Sequence, residues 1–224
     1  LFLHRDRGFI REGLLNYLAL LGWSISADRD IFTLSEMCEK FDVSSVNPNP
    51  ARFDQKKADA INAAHIRLLT DEQFGERVLP YLVSAGVISK NPSDKELTIF
   101  SACMPLVKER VTVLSEVAGM VGFLFSDQIN FEDGVVAQLP QSAGSIAKMA
   151  AEELANLDDF VTASIQQVLS DRLIEKEGLK PRDAFAVVRT AISGRRVTPP
   201  LFECLEILGK ARSLARLEAF SQAH

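Results

Sequence analysis

Apolar positions recur at intervals of three and four residues along most of this chain, which is the spacing that predicts α-helices. Leu14, Leu18 and Leu21 form one such stripe, and it stops at Gly22. Several predicted helices begin with a Ser or Thr followed three residues later by Glu or Gln, a pair that satisfies two free backbone N–H groups. These pairs are Thr33 with Glu36, Thr70 with Gln73, and Ser93 with Glu96. The sequence therefore predicts an all-α fold.

A helix that begins near Asp54 is predicted to bury one face of four residues. These residues are Ala58, Ile61, His65 and Leu68. His65 lies on that apolar face, so we interpret it as a packed histidine rather than a ligand. The pattern indicates a long amphipathic helix in this part of the chain.

The middle of the chain carries a proline that interrupts its helical pattern. Pro105 has no N–H and clashes with the preceding turn, so a kink or break is expected in the helix that begins near Ser93. Arg110 is then expected near a helix end. Thr112 is predicted to cap the next apolar helix, which contains Val113 and Val117.

The last part of the chain predicts a compact bundle of four or five helices. Their expected ranges are 145–156, 158–175, 181–192, 199–208 and 210–222. Thr198 is the expected N-cap of the helix that Pro199 starts, because threonine caps and N-terminal prolines favour helix starts. The apolar pattern weakens from residue 126 to 142, which indicates a boundary before this bundle.

Composition restricts the classes of protein that this chain can represent. The 224 residues contain three cysteines and three histidines, too few and too dispersed to predict a disulfide framework or a zinc site. No stretch approaches the roughly 18 consecutive apolar residues of a membrane span, so a soluble, cytoplasmic protein is expected. The chain opens on Leu1 without an initiator methionine, and we interpret it as an excised fragment or a processed product.

Positive charge is concentrated near the C-terminal end, although the whole chain has a net charge of -5. From Leu179 onward there are eight basic residues and four acidic ones. The basic residues are Lys180, Arg182, Arg189, Arg195, Arg196, Lys210, Arg212 and Arg216. Such asymmetry indicates an anionic partner at this end, and solvated helix faces give the same counts.

Catalytic chemistry is not predicted for this chain. It contains no glycine-rich phosphate loop, and no Ser/His/Asp or Cys/His set can be assembled from it. We therefore predict no catalytic residue, no metal ligand and no cofactor bound by this chain itself.

Three segments, in order, resemble one known family. RDRGFIREGLLNYLALLGWS, residues 5–24, is similar to the segment that follows the catalytic KMSKS loop of bacterial glutamyl-tRNA synthetases. ARFDQKKADAINAAHIRLL, residues 51–69, resembles a second signature of that family, and TPPLFE, residues 198–203, resembles its anticodon-binding domain. The chain departs from the family at Arg11, Ala60 and Pro200.

The resemblance implies the tRNA-binding half of a class I glutamate–tRNA ligase, without the catalytic domain. It implies a helical stem-contact module at 1–70 and two helical anticodon-binding domains at 71–135 and 136–224. The implied partner is tRNA-Glu, and tRNA-Gln stays open as a second one. ATP and magnesium are implied for the parent enzyme only, and a monomer is the family expectation.

The strongest candidate RNA contacts precede the third motif. Arg195 and Arg196 place two guanidinium groups just before a predicted helix N-terminus, where free N–H groups and the helix dipole favour an anion. Thr198 and Pro199 form the helix start that follows. Guanidinium planes can also stack on splayed anticodon bases, and an ordinary polar connection is the alternative interpretation.

The other candidates rest on the resemblance alone. Arg110 corresponds to an arginine that reads the last anticodon base, and neighbouring Lys108 is the alternative assignment. Either residue could instead be a cation that binds the last carbonyls of a helix. Arg7 and Lys57 are implied contacts to the tRNA stem.

A second class of function fits part of the same sequence. A helical protein-interaction module could use apolar grooves and the acidic N-terminal part to bind a protein partner. It explains the negative net charge, but it does not explain three ordered motifs. It also predicts binding that is indifferent to replacing Arg195 and Arg196 with alanine.

Overall fold

The computed structural model describes residues 2–48 and 52–224, which are almost entirely helical. The α-helices are α1 (Phe2–Arg7), α2 (Arg11–Leu20), α3 (Leu34–Lys40), α4 (Gln55–Arg67), α5 (Asp71–Ser84), α6 (Asp94–Val107), α7 (Glu116–Phe125), α8 (Ala143–Ala155), α9 (Thr162–Leu169), α10 (Pro181–Ser193), α11 (Leu201–Leu208) and α12 (Lys210–Ala223). Three 3₁₀ turns lie at Val43–Ser45, Lys108–Arg110 and Val136–Gln138, and a π-helical segment at Ser170–Lys176. Within the described ranges there is no β-strand, only a single bridge between Ser26 and Arg29. The all-α prediction is confirmed.

The chain forms two compact units. The first unit consists of Leu1–Pro92 and Met104–Gly119, and the second of Ser93–Cys103 and Met120–His224. Both α6 and α7 contribute residues to each unit. No helix in the described part of the chain is long and apolar enough to cross a bilayer.

Helix α2 packs against α4 in the first unit. The buried residues of α2 are Gly13, Asn16 and Tyr17, whereas Leu18 is 41% exposed, so the predicted leucine stripe is wrong at that position. Leu14 and Leu21 are only partly buried. The reason is that Gly13 of α2 faces α4, and the missing side chain allows the two helix backbones to approach closely. With Gly13 in this position, the leucine stripe lies toward the edge of the core.

Two buried asparagines connect this core to its loops. Asn62 on α4 accepts the Ile10 N–H at 2.9 Å and donates to the Thr112 carbonyl at 2.7 Å. The side-chain oxygen Oδ1 of Asn16 lies 2.7 Å from His65 Nε2 and accepts the Phe32 N–H at 3.1 Å. Buried polar groups need such partners, so these bonds fix the segments around residues 10, 32 and 112.

The ends of helices test the predicted caps. Both side chain to backbone bonds of the capping box are present at Thr33 with Glu36 and at Thr70 with Gln73. Ser93 and Glu96 exchange the same pair of bonds. These three predictions are confirmed.

Two local predictions in the first unit are wrong. Leu68 is 65% exposed, because α4 ends at Arg67 and Leu68 is its C-cap rather than part of its buried face. Thr112 does not cap α7, which begins only at Glu116, and its N–H instead donates to the Glu116 carboxylate at 2.7 Å. Of the kink or break predicted at Pro105, the break is not found in this described segment, because helix α6 continues through Pro105 to Val107.

Helices α8 and α12 pack together in the second unit. Ile146, Ala150 and Leu154 form part of the buried face of α8, and Leu217 and Phe220 part of that of α12. The helix predicted at 158–175 is shorter, because α9 begins at Thr162 and continues as the π-helical segment. The other predicted helices of this bundle are present, and none of their ends is shifted by more than two residues.

Candidate nucleic-acid interface

The connection between α10 and α11, which we term the 194–200 loop, begins at a glycine in a left-handed conformation. Gly194 has φ +70° and ends α10 by donating its N–H to the Thr190 carbonyl at 2.8 Å. The next N–H, of Arg195, donates to Ser193 Oγ at 3.0 Å. The chain thus turns sharply away from α10, and this turn directs residues 195–197 out of the bundle.

A second segment, residues 129–132, lies directly against this loop. The Glu132 N–H donates to the Gly194 carbonyl at 2.8 Å. A β-carbon at Gly194 would lie 2.5 Å from the Asn130 carbonyl oxygen, closer than atoms can approach. Only glycine therefore satisfies both the positive φ and the close packing at this position.

Glu132 contacts both arginines of the loop. Its Oε1 lies 3.1 Å from Arg195 Nη1, and its Oε2 accepts the backbone N–H of Arg196 at 3.3 Å. The Arg195 and Glu132 side chains are 35% and 42% exposed, respectively. Glu132 carried no signal in the sequence analysis, because its role depends on a contact across more than sixty residues of chain.

The side chain of Arg196 differs from that of Arg195. It is exposed, and its guanidinium group has no ion pair or hydrogen bond with any residue in the described ranges. The adjacent Val197 is 63% exposed. The loop thus exposes Arg195, whose charge is paired with Glu132, Arg196, whose charge is unpaired among the described residues, and the apolar Val197.

Thr198 and Pro199 are buried rather than presented. Thr198 is 5% exposed, and its hydroxyl donates to the Pro199 carbonyl at 2.7 Å. Helix α11 begins at Leu201 with Pro200 as its N-cap, so the prediction that Thr198 caps a helix started by Pro199 is wrong. The physical reason is that Pro200 disfavours helical backbone at the residue before it, which delays the helix start. Thr198 and Pro199 shape the loop from within.

Arg110 lies at the end of a 3₁₀ turn in the first unit, close to a helix end as predicted. Its side chain is exposed and makes no ion pair or hydrogen bond with other described residues. Lys108, the alternative assignment, is engaged: its Nζ donates to the Leu69 carbonyl at 3.0 Å and to Asp71 at 2.6 Å. Of the two cations, Arg110 is the one available to a ligand.

Arg7 and Lys57 are partly exposed and each is paired with a carboxylate. Arg7 Nη2 lies 3.6 Å from Asp59 Oδ1, and its guanidinium carbon lies 5.6 Å from the centre of the Phe9 ring. Lys57 Nζ lies 2.9 Å from Asp30 Oδ2. Exposed pairs of this kind are weak, so both cations can exchange a carboxylate for another anion at little cost.

Two arginines counted in the basic C-terminal region point inward. Arg216 is 6% exposed and donates to the carbonyls of Ile192 at 2.7 Å and Phe123 at 3.0 Å. Arg212 donates to the carbonyls of Leu208 and Leu124. Burial, aided by the nearby Arg212 charge, lowers the pKa of Arg216 to about 10. These cations stabilise helix ends rather than attract a ligand.

Two models of known families match parts of this chain. The sequence model described as "Anticodon binding domain" matches residues 73–221. The chain belongs to this family. A second model, described as "tRNA synthetases class I (E and Q), catalytic domain", matches residues 3–60. The anticodon-binding family match includes Arg110 and the whole of the 194–200 loop.

Curated relatives cover the whole chain. It is 52% identical over 227 residues to a glutamate–tRNA ligase of Leifsonia xyli subsp. xyli, which covers 100% of this chain and 46% of that protein. It is also 52% identical over 230 residues to a glutamate–tRNA ligase of Bifidobacterium longum, covering 99% of this chain and 46% of that one. The chain spans about half the length of these relatives. The resemblance predicted from the three motifs is confirmed.

Solved structures share the fold. A crystal structure of a glutamate tRNA ligase from Elizabethkingia meningosepticum, in complex with its amino acid, aligns with a TM-score of 0.81 at 23% identity. A glutamate-tRNA synthetase from Elizabethkingia anophelis aligns with a TM-score of 0.78, also at 23% identity. Each alignment covers 98% of this chain and 42% of the other. The helical architecture of this anticodon-binding family member is therefore one already seen in crystals.

The sequence holds no glycine-rich phosphate loop. Among residues 2–48 and 52–224, no three His, Cys, Asp or Glu side chains are grouped to hold a metal ion.

Proposed function

We propose that this chain is the tRNA-binding portion of a glutamate–tRNA ligase. The observation that carries the proposal is 52% identity to such ligases along the entire chain, together with membership of the anticodon-binding family. In the whole protein, ATP with magnesium would serve to attach glutamate to the tRNA. The proposed partner is tRNA-Glu, with tRNA-Gln as a second substrate to be tested.

Our proposal for the mechanism is that this chain positions the tRNA. Arg196 and Arg110 are exposed cations without an internal partner among the described residues, and both fall inside the anticodon-binding match. One bidentate arginine contact to a base is worth ~1–3 kcal/mol of discrimination, by analogy with groove readout in DNA. Arg7 and Lys57 are proposed to contact the backbone of the tRNA stem, where phosphate contacts set position rather than sequence.

We also propose three functional domains along the chain, at 1–70, 71–135 and 136–224. The first is proposed to contact the tRNA stem and the other two the anticodon. This division follows the family resemblance and concerns which part of the tRNA is contacted, whereas the two compact units reflect how the helices pack. A monomeric ligase acting in the cytoplasm is the corresponding proposal for the whole protein.

The experiment that tests the proposal is a titration of this chain with tRNA-Glu transcripts across a salt series. The transcripts are wild type, changed at the last anticodon base, and tRNA-Gln. Arg110→Ala and Arg196→Ala are compared with Lys90→Ala, which removes an exposed positive charge outside the proposed contacts. Affinity that falls with the base change and with the two arginine variants, but not with Lys90→Ala, supports anticodon reading. Equal binding to every transcript with a steep salt slope reduces the function to phosphate contacts. No binding at low salt overturns the proposal and favours a protein partner.

A further inference from the structure

Glu132 is the one carboxylate in the described residues that touches both arginines of the 194–200 loop. We infer that Glu132 is a positioning residue, which holds Arg195 as a brace and leaves Arg196 as the side chain that contacts RNA. This inference rests on the proposed function, because it assigns roles within the same site. It depends on three contacts that together determine the path of the loop.

The contacts are distributed over successive residues of the loop. The Glu132 N–H binds the Gly194 carbonyl at 2.8 Å, its Oε1 binds the Arg195 guanidinium at 3.1 Å, and its Oε2 binds the Arg196 N–H at 3.3 Å. Glu132 is itself anchored, since its carbonyl accepts the Val135 N–H at 3.1 Å. These hydrogen bonds to the backbone groups of residues 194 and 196 restrict the φ and ψ angles of the loop from Gly194 to Arg196. The direction in which the Arg196 side chain leaves the loop is thereby fixed.

The two arginines also differ in their electrostatic effect. Glu132 differs from Asp59 and Asp30, the partners of Arg7 and Lys57, because it is also held at the loop by bonds to the backbone of Gly194 and Arg196. Its pair with Arg195 is therefore exchanged for another anion less readily, and the pair adds little net positive potential outside the protein. Arg196 has no such partner among the described residues, and its charge acts fully on a nearby phosphate. Each phosphate neutralised by a cation releases counterions and adds ~0.7–0.9 to the slope of log affinity against log salt. Of the two arginines in the 194–200 loop, only Arg196 is expected to contribute to this slope.

A simple charge argument and the positioning argument predict opposite effects for Glu132→Ala. Removing a carboxylate near an RNA site should strengthen binding if Glu132 merely repels phosphates. If Glu132 positions the loop, the same change weakens binding, although the protein becomes more positive. The neighbouring Asp133 provides the matched control, because it is exposed and makes no ion pair or hydrogen bond with other described residues.

The test measures tRNA-Glu affinity and its salt slope for five single variants and one double variant, after thermal unfolding has shown that each is folded. We expect Glu132→Ala to weaken binding by about tenfold, the equivalent of 1.4 kcal/mol. Asp133→Ala should cause no loss, and Glu132→Gln should recover part of the affinity, since its amide oxygen can still accept the Arg196 N–H. Arg195→Ala should weaken binding without changing the slope, and should not add to Glu132→Ala in the double variant. Arg196→Ala should reduce the slope by about one.

Wild-type or higher affinity for Glu132→Ala would overturn the positioning role. A reduced slope for Arg195→Ala would overturn the division between the two arginines. Amide hydrogen exchange of Arg196 in the protein without RNA provides a separate readout. Faster exchange in Glu132→Ala than in Glu132→Gln is expected, and equal exchange would contradict the restraint. If the wild-type chain binds no tRNA, the proposed function fails, and the exchange result still decides whether Glu132 orders the loop.

Discussion

Gly13 on α2 packs directly against Asn62 on α4: a β-carbon at Gly13 would lie 2.6 Å from Asn62 Oδ1 and 2.7 Å from Asn62 Cα. The second of these atoms belongs to the backbone, so it cannot move away as a flexible side chain would. The two helices therefore approach as closely as they do because position 13 has no side chain. This close approach also brings the Asn62 amide to the Ile10 N–H.

Gly13→Ala is expected to destabilise the first unit. The added methyl group must push α4 away from α2, and overpacking of this kind costs about 1–3 kcal/mol. Gly119→Ala is the control, because Gly119 is also helical and has no atom within 4 Å of its would-be β-carbon. Alanine has the better helix propensity, so that change should stabilise by up to about 1 kcal/mol. Urea unfolding measures both, and equal effects would contradict the packing argument.

Asn62→Ala tests the polar contacts of the same residue. Asn62 is fully buried and pairs with the Ile10 N–H and the Thr112 carbonyl. Alanine leaves both backbone groups buried without a partner, at about 1–3 kcal/mol each. We expect a loss of roughly 2–4 kcal/mol in the free energy of unfolding, measured with urea. A loss below about 1 kcal/mol would indicate that water or a shift of the chain replaces these bonds.

Helix starts that carry a capping box could be predicted from the sequence, whereas other helix starts and the helix faces could be predicted much less well. Thr33 and Thr70 were assigned as caps because their signal lies within four residues and depends on local backbone geometry. The exposure of Leu18 could not be predicted from its stripe, because the orientation of α2 is set by where Gly13 meets α4. Apolar periodicity identifies a helix but does not tell which neighbour it packs against.

The candidate site shows the same limit. Arg195 and Arg196 were found from their position before the third motif, yet their different roles depend on Glu132, more than sixty residues away. The delayed start of α11 was readable from the sequence, since Pro200 restricts Pro199. The burial of Arg216 was also readable, because it shares a helix face with Leu217 and Phe220.

Arg216→Met is expected to destabilise the second unit, although methionine is similar to arginine in length and is apolar. It leaves the buried carbonyls of Ile192 and Phe123 without donors. Unsatisfied buried groups cost about 1–3 kcal/mol each, so a loss of roughly 3 kcal/mol is expected in thermal or urea unfolding. Arg182→Met on the exposed face of α10 is the control and should change stability by less than about 0.5 kcal/mol. Similar losses in both variants would refute the structural role of Arg216.

His65 should make the first unit less stable in mild acid. Burial lowers the pKa of His65, and the Glu12 charge opposes that shift only in part. Because the folded-state pKa lies below the unfolded value of about 6.5, the unfolded chain takes up the proton first as the pH falls. The contribution of unprotonated His65 to the free energy of unfolding is therefore fully present above the unfolded pKa of about 6.5. It is lost as the pH falls below that value, by at most about 1.4 kcal/mol per pH unit.

Replacing His65 with glutamine isolates this effect, because the amide can still donate to Asn16 and does not titrate. Urea unfolding between pH 7 and pH 5 should show a smaller loss of stability for His65→Gln than for the wild type. An unchanged pH dependence in His65→Gln would show that the folded and unfolded chains bind a proton at His65 equally well, which would contradict the lowered pKa.

Gly194→Ala is expected to introduce both backbone strain and a steric clash. Gly178→Ala is the control, because it introduces backbone strain without a clash. Both glycines have positive φ, +70° and +67°, so alanine pays about 1–2 kcal/mol for the left-handed conformation at either position. Only at Gly194 does the new β-carbon also meet another segment, at 2.5 Å from the Asn130 carbonyl oxygen, whereas nothing lies within 4 Å at Gly178. Gly194→Ala should therefore lose about 1–3 kcal/mol more than Gly178→Ala in urea unfolding.

The clash separates residues 129–132 from the loop, so Gly194→Ala should also weaken tRNA binding at a temperature where both variants are folded. Equal stability losses in the two variants would mean that the segment at 129–132 does not pack on Gly194 in solution, and the restraint proposed for Glu132 would lose its structural basis.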